Sequence, residues 1–286
     1  MTRPLQLAPA PRRVSTPLRL RLLFGGVLNT IGWAVTCFGM IFVWVFVSNS
    51  ELTTLGKFAG DLGGVSAFVT AVEATSMREN STRVHAVHYE FEVDDRRLSG
   101  TSYTTRGVPV EGARVEVEYV VADPSMSRIK GMRTAPFPAA VAFVWIFPLI
   151  GIGFVAFGVR SGRRAIALLA HGEHARGRLV AKEATSTVVN NQRVFRLTFE
   201  FEDASGATHK AVARSHRLAE LEDESTEELM YDPHHDAAVL LDALPGRPEI
   251  DPEGGFDTAR PGVAIAVLIL PVLAVVGNVA AYALTR

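Results

Sequence analysis

Hydrophobic and polar positions follow two patterns along this chain. Three stretches, residues 22–48, 137–159 and 262–284, hold no Asp, Glu, Lys, Arg or His. At a rise of about 1.5 Å per residue each can cross a hydrocarbon layer of about 30 Å, and a buried helix of a soluble protein rarely stays uncharged for so long. The third stretch carries twelve Leu, Ile or Val residues, which outweigh Asn278 and the helix-weakening Pro271. The pattern predicts a transmembrane helix at each. In the second, Pro148, Gly151 and Gly153 leave open a re-entrant turn instead of a full crossing.

Between these stretches the period changes to two. Val87, Tyr89, Phe91 and Val93 alternate with His88, Glu90 and Glu92, and Phe195, Leu197, Phe199 and Phe201 repeat the pattern. Such alternation marks strands with one buried face. Turn-forming residues follow, Asp94-Asp95-Arg96-Arg97 and Asp203-Ala204-Ser205-Gly206, each leading into another strand. Val115, Val117 and Tyr119 predict a later strand ending at a turn around Asp123-Pro124.

The two polar segments are copies of each other. Residues 71–92 lie over 181–202 without a gap, at an offset of 110, with 11 identities in 22 positions. Glu73-Ala74-Thr75-Ser76 falls on Glu183-Ala184-Thr185-Ser186, and Glu90-Phe91-Glu92 on Glu200-Phe201-Glu202. Asp123-Pro124 matches Asp232-Pro233 at an offset of 109. Duplication is the reading that explains this self-similarity. The expectation is an α+β membrane protein: three transmembrane helices plus two related antiparallel β-domains, each a barrel or sandwich of five or six strands. The boundaries are a disordered basic tail (1–21), a first helix (22–48), copy 1 (49–136), a second helix (137–159), a helix plus copy 2 (160–260) and a third helix (262–284).

Composition narrows the class. The chain has 286 residues, 48% of them hydrophobic, and its 29 basic against 30 acidic residues give no ground for nucleic-acid binding. Cys37 is the single cysteine, which excludes an intramolecular disulfide framework and a cysteine-rich zinc site. The first apolar run is about twice the length of a signal-peptide core, and Val47-Ser48-Asn49-Ser50 offers no cleavage pattern, so it is expected to remain as an anchor. Basic residues near the span ends are unevenly shared. Twelve flank the side of the N-terminus and five the other, predicting a multi-pass cell-membrane protein with a cytoplasmic N-terminus and an extracytoplasmic C-terminus.

The closing motif of copy 1, Val115-Glu116-Val117-Glu118-Tyr119 followed by Asp123-Pro124-Ser125-Met126-Ser127-Arg128, together with the central Tyr89-Glu90-Phe91 strand, resembles the bacterial family named domain of unknown function 3592. Copy 2 keeps Tyr231-Asp232-Pro233 but puts His234-His235-Asp236 where the Ser and Arg would stand. The Arg- and Leu-bearing segment 165–177 is similar to a helix that often precedes this domain. The resemblance implies membrane attachment and a fold in two copies; it carries no catalytic residue and no cofactor.

Candidate chemistry is sparse. Glu90 with Glu92, and Glu200 with Glu202, place paired carboxylates about 7 Å apart on one strand face, where a solvated outer face is the simpler reading. His171 and His174, three apart on an expected helix, and His234-His235-Asp236 in the last turn of copy 2 are weak metal candidates. His85 and His88 would point to opposite faces of a strand. Asn80-Ser81-Thr82 fits a glycosylation sequon and, in a bacterial protein, a polar turn. Gly32 with Thr36 and Gly277 with Ala281 are small-x3-small pairs suited to helix packing or to a homo-oligomer. No phosphate-binding loop, dinucleotide fingerprint or nucleophile elbow occurs. The expected function is a non-enzymatic membrane scaffold or protein-interaction module, with the lipid bilayer and an unidentified protein as partners. A transmembrane sensor or accessory subunit is the alternative, and a membrane-bound enzyme the third reading.

Overall fold

A computed structural model describes residues 7–189, 192–203, 205–215, 226–234 and 237–284. The chain divides into two compact units, Met1–Cys37 with Leu149–Arg286, and Phe38–Pro148. Among the described residues, three helical stretches are long and apolar enough to span a bilayer: Val27–Val47, Ala139–His171 and Val263–Leu284, of mean hydropathy 2.0, 2.4 and 2.6.

The first helical stretch begins at Val27, not at residue 22. Helix α1 (Thr16–Phe24) precedes it, started by Ser15, whose Oγ accepts from the Leu18 N–H, and by a proline in its first turn. Gly25 and Gly26 (φ +82) then break the chain before α2 (Val27–Phe42). The buried Asn29 closes the break, its Nδ2 donating to Leu23 O at 2.9 Å and Gly25 O at 3.1 Å.

The expected disordered tail is corrected for residues 7–21; residues 1–6 lie outside those described. Val14, Leu18 and Leu22 recur every four residues and pack against Ala165, Leu169, Met230 and Phe256. Val14 bridges Phe256, and the Arg12 guanidinium donates to Ala8 O and Gly172 O. That apolar stripe outweighs the Pro/Arg composition that suggested disorder.

The second stretch opens as a 3₁₀ turn (Ala139–Trp145) and runs on as α3 (Ile146–His171), with no re-entrant turn at Pro148, Gly151 or Gly153. Pro148 stands in the first turn of α3, where a missing N–H costs nothing. The separate helix expected at 165–177 is also corrected. Helix α3 continues through Arg160, Arg163 and Arg164 and stops at Gly172, whose N–H bonds Leu168 O at 2.7 Å. Arginines end an apolar run without ending a helix. The third stretch is α4 (Val263–Ala266) and α5 (Ile269–Leu284), interrupted two residues before the residue that precedes Pro271.

Copy 1 comprises β1 (Leu62–Glu79), β2 (Thr82–Val93), β3 (Arg96–Thr104), β4 (Arg114–Val120) and β5 (Asp123–Ile129), ordered β3-β2-β1-β4-β5. Copy 2 comprises β6 (Glu173–Val189), β7 (Gln192–Glu202), β8 (Thr208–Ser215), β9 (Glu227–Asp232) and β10 (Ala237–Leu240), in the same order, β8-β7-β6-β9-β10. A short ribbon of β11 (Pro248–Ile250) and β12 (Phe256–Thr258) follows. The β1–β2 and β6–β7 ladders agree pair for pair at the offset of 110: Phe68 faces Glu90 as Arg178 faces Glu200, and Glu79 faces Thr82 as Val189 faces Gln192. Both irregularities recur too, after Val69/Leu179 and after Ala74/Ala184.

The second irregularity explains the best-matched motif. Where the ladder slips, Thr75 Oγ1 donates to Val84 O at 2.7 Å and accepts from the Met77 N–H; Thr185 does the same with Val194 O and the Thr187 N–H. A bulge orphans backbone groups, and the threonine hydroxyl satisfies them. The Asp-Pro match is corrected. Tyr119 pairs with Gly63 as Tyr231 pairs with Glu173, so the tyrosines are equivalent. Asp123-Pro124 starts β5 after its turn, whereas Asp232-Pro233 closes β9 before a longer one.

Alternation along the strands fills each core as the pattern predicts. Val69, Val87, Tyr89, Phe91, Val117 and Ile129 pack in copy 1, and Leu197, Phe199, Phe201, Leu229, Tyr231 and Leu240 in copy 2. Copy 1 curls nearly into a barrel: Tyr103 and Arg133 exchange both backbone hydrogen bonds, and the Ile129 N–H bonds Ser102 Oγ at 2.8 Å.

Candidate functional site

Most of the singled-out residues serve the fold. Glu90, Glu92, Glu200 and Glu202 are exposed on the faces turned away from the two cores. Asn80-Ser81 and Asp94-Asp95 all have φ between 47° and 69°, as two-residue hairpin turns of like hand require. The Arg128 guanidinium pairs with Glu118 Oε2 at 3.1 Å and covers the Phe58 ring at 4.6 Å; Ser125 Oγ donates to Asp123 Oδ1. The closing motif is therefore a packing device. His88 Nδ1 lies 3.0 Å from Thr101 Oγ1, and its Nε2 3.8 Å from Glu73.

The histidines of copy 2 separate. His171 is the last residue of α3, and His174 lies on β6, not on a helix, with Nε2 3.6 Å from Glu228, which also takes Arg176 at 3.3 Å. His171 and His234 do share a cleft of about 750 Å³ with Arg164, Glu173 and Asp232. His174 does not line it, and His235 and Asp236 lie outside the described residues. Tyr231 donates its hydroxyl to Glu173 Oε2 at 2.6 Å, which ties down one carboxylate at the rim. Among the described residues no three His, Cys, Asp or Glu side chains come together as a metal site requires.

Asp203 holds the turn after β7. Its carboxylate accepts from Ser205 Oγ and N–H, His209 Nε2 and the Ala207 N–H at 2.6 to 2.9 Å. Those donors, Ser205 and His209 foremost, keep it ionised far below the usual carboxylate range. Ala204, the second residue of this expected turn, lies outside the described residues.

Three features escaped the sequence reading. The first is a buried hydroxyl set in copy 1: Tyr89 OH and Ser127 Oγ lie 3.0 Å apart beside Ser102, with Gly100 under the ring, where a Cβ would overlap it. Register places Phe199, Ala238, Ala213 and Ala211 at the same positions in copy 2. The second is the partner of the small residues: the spacing of Gly32 and Thr36 suited helix packing or a homo-oligomer but did not say against which helix. A Cβ on Gly32 would meet Gly151 O at 2.8 Å, and one on Gly158 would meet the Asn29 amide at 2.5 Å, so Gly32 and Thr36 are spent inside the chain on α3. Gly277 faces open space.

The third is a cavity of about 920 Å³, bounded by the Gly25–Asn29 joint, Gly158–Ala165 of α3, Glu183–Thr187 of β6, Arg196 of β7 and Ala243–Pro245. The Gly25-Gly26 break, two glycines of α3 and a repeated Glu-Ala-Thr-Ser meet there; the Gly25-Gly26 pair was the available signal. No family model, curated protein or solved structure matches the chain.

Proposed function

We propose that this protein is a membrane-embedded, non-enzymatic interaction module that recruits a protein partner through copy 1. The observation that carries this reading is an apolar patch on that copy. Phe68 is 52% exposed and Val110 74%, and the residue 108–113 loop is laced to the strand beside Phe68 by Val69 N–H to Ala113 O and Gly112 N–H to Val69 O. The Arg114 guanidinium stands 5.2 Å from the Phe68 ring centre. An exposed aromatic with an arginine over it and aliphatic neighbours is the composition of an interface hot spot. Copy 2 has Arg178 at the position of Phe68, so the patch belongs to copy 1 alone.

A charge-insertion comparison tests this. Full-length protein in mild detergent is isolated as the natural chain, as Val110→Asp and as Val121→Asp, an exposed valine outside the patch. A partner held through the patch is lost at least tenfold from V110D and retained by V121D. Equal co-purification with all three chains overturns the reading.

A further inference from the structure

The geometry points to the 920 Å³ cavity as a binding site for the headgroup of a zwitterionic phospholipid, phosphoethanolamine in chemistry. The site lies wholly within one unit, which contains 1–37 and 149–286.

Four observations converge on a phosphate with a cationic neighbour. First, α2 opens onto the cavity through Gly25, Gly26, Val27 and Leu28. Among the described residues the earliest of its amides to find an acceptor is Thr30, on Gly26 O at 3.1 Å, so the amides before it point out of the helix end as donors. Second, Asn29 lines the same wall at 2% exposure, and its buried Oδ1 has no hydrogen-bond partner among the described residues. Third, Ser161, Ser186 and Thr187 bring hydroxyls to the other walls. Fourth, Arg196 and Glu183, cross-strand neighbours on β7 and β6, both line the cavity. They stand 3.9 Å apart, too far for a hydrogen bond, so guanidinium N–H groups remain for a phosphate and the carboxylate for an ammonium.

One arginine and one glutamate make a lining without net charge, which suits a zwitterion better than an anion. The cavity's height argues for a lipid over a free metabolite. Helix α2 starts its apolar run at Val27, and α3 leaves its own at Arg160, both at this wall, which is the headgroup layer of a bilayer these helices would cross. Leu22, Leu28, Val194 and Leu244 supply an apolar side for the glycerol and first methylenes. In copy 1 the position of Arg196 is Ala86, so that barrel lacks the cation.

The test uses delipidated full-length protein in non-ionic detergent and native mass spectrometry with dilauroyl phosphatidylethanolamine, phosphatidylglycerol and phosphatidylcholine in equal amounts. One phosphatidylethanolamine is expected to be retained in preference to the other two. Arg196→Gln should weaken its retention about tenfold or more. Glu183→Gln should turn the preference towards phosphatidylglycerol, a ratio read within one sample that a loss of folding cannot mimic. Equal retention of the three lipids, or variants that bind as the natural chain does, overturns the site. Displacement of the lipid by equimolar inorganic phosphate shows a simple anion site and overturns the lipid assignment.

Discussion

Tyr89 and Phe199 occupy one register position in two sheets of the same strand order, and the side chains around each agree with it. The Tyr89 hydroxyl has Ser127 and Ser102 for company and Gly100 for room, whereas alanines stand at those three positions around Phe199. A buried hydroxyl needs a partner, so all members of such a set must change together. Alternation in the sequence showed that position 89 is internal; it could not show the hydroxyl network, because Ser102 and Ser127 come from strands whose pairing no local pattern encodes. Tyr89→Phe should destabilise copy 1 by about 1 kcal/mol, and Phe199→Tyr should destabilise copy 2 by more, about 1–3 kcal/mol, since its hydroxyl would find no partner. Burial raises the Tyr89 pKa, the serine contacts offsetting only part of that. The folded state thus favours the neutral phenol; its contribution is intact below the unfolded pKa of about 10 and is lost as pH rises through the higher folded value. Denaturant melts above pH 10 should show a loss of stability in the natural chain that Y89F lacks.

Elements were legible wherever one physical quantity dominated. Period two revealed the strands because each has a buried face, and an offset of 110 revealed the shared register because both bulges and their threonines stand at matching positions. Helix limits were less legible. Hydropathy is blind to backbone conformation, so the run from Leu22 hid the break at Gly25-Gly26, and the arginines after Val159 hid the continuity of α3. The short Asp-Pro match failed because the turns of the two copies differ in length. The cavity depends on that hidden break, and so does Asn29, which supplies donors to two carbonyls that α1 leaves at its end. Asn29→Ala should strand Leu23 O and Gly25 O and cost about 1–3 kcal/mol. Limited proteolysis in detergent should then cut at Gly25-Gly26 faster than in Thr30→Ala, whose lost bond to Gly26 O is exposed.

At the scale of the whole molecule, one apolar stretch, Ala139–His171, separates β5 from β6. If a single crossing divides a duplicated fold, its copies meet different solvents and different partners, and their sequences are free to diverge. The copies differ at Phe68 and Arg178, at Ala86 and Arg196, and in the surroundings of Tyr89 and Phe199. On the expected topology, the twelve basic residues near the span ends on one side, against five on the other, would put copy 2 in the cytoplasm. Because Cys37 is the single cysteine, a Cys37→Ser background allows each side to be probed with one thiol. In intact cells a membrane-impermeant maleimide should label Glu111→Cys, in the exposed β3–β4 loop, and should reach Ser205→Cys, in the exposed β7–β8 turn, only after permeabilisation. Labelling of both without permeabilisation would place the copies in one compartment. That result would remove the membrane-spanning role of Ala139–His171, and with it the reason for a headgroup-level cavity beside copy 2.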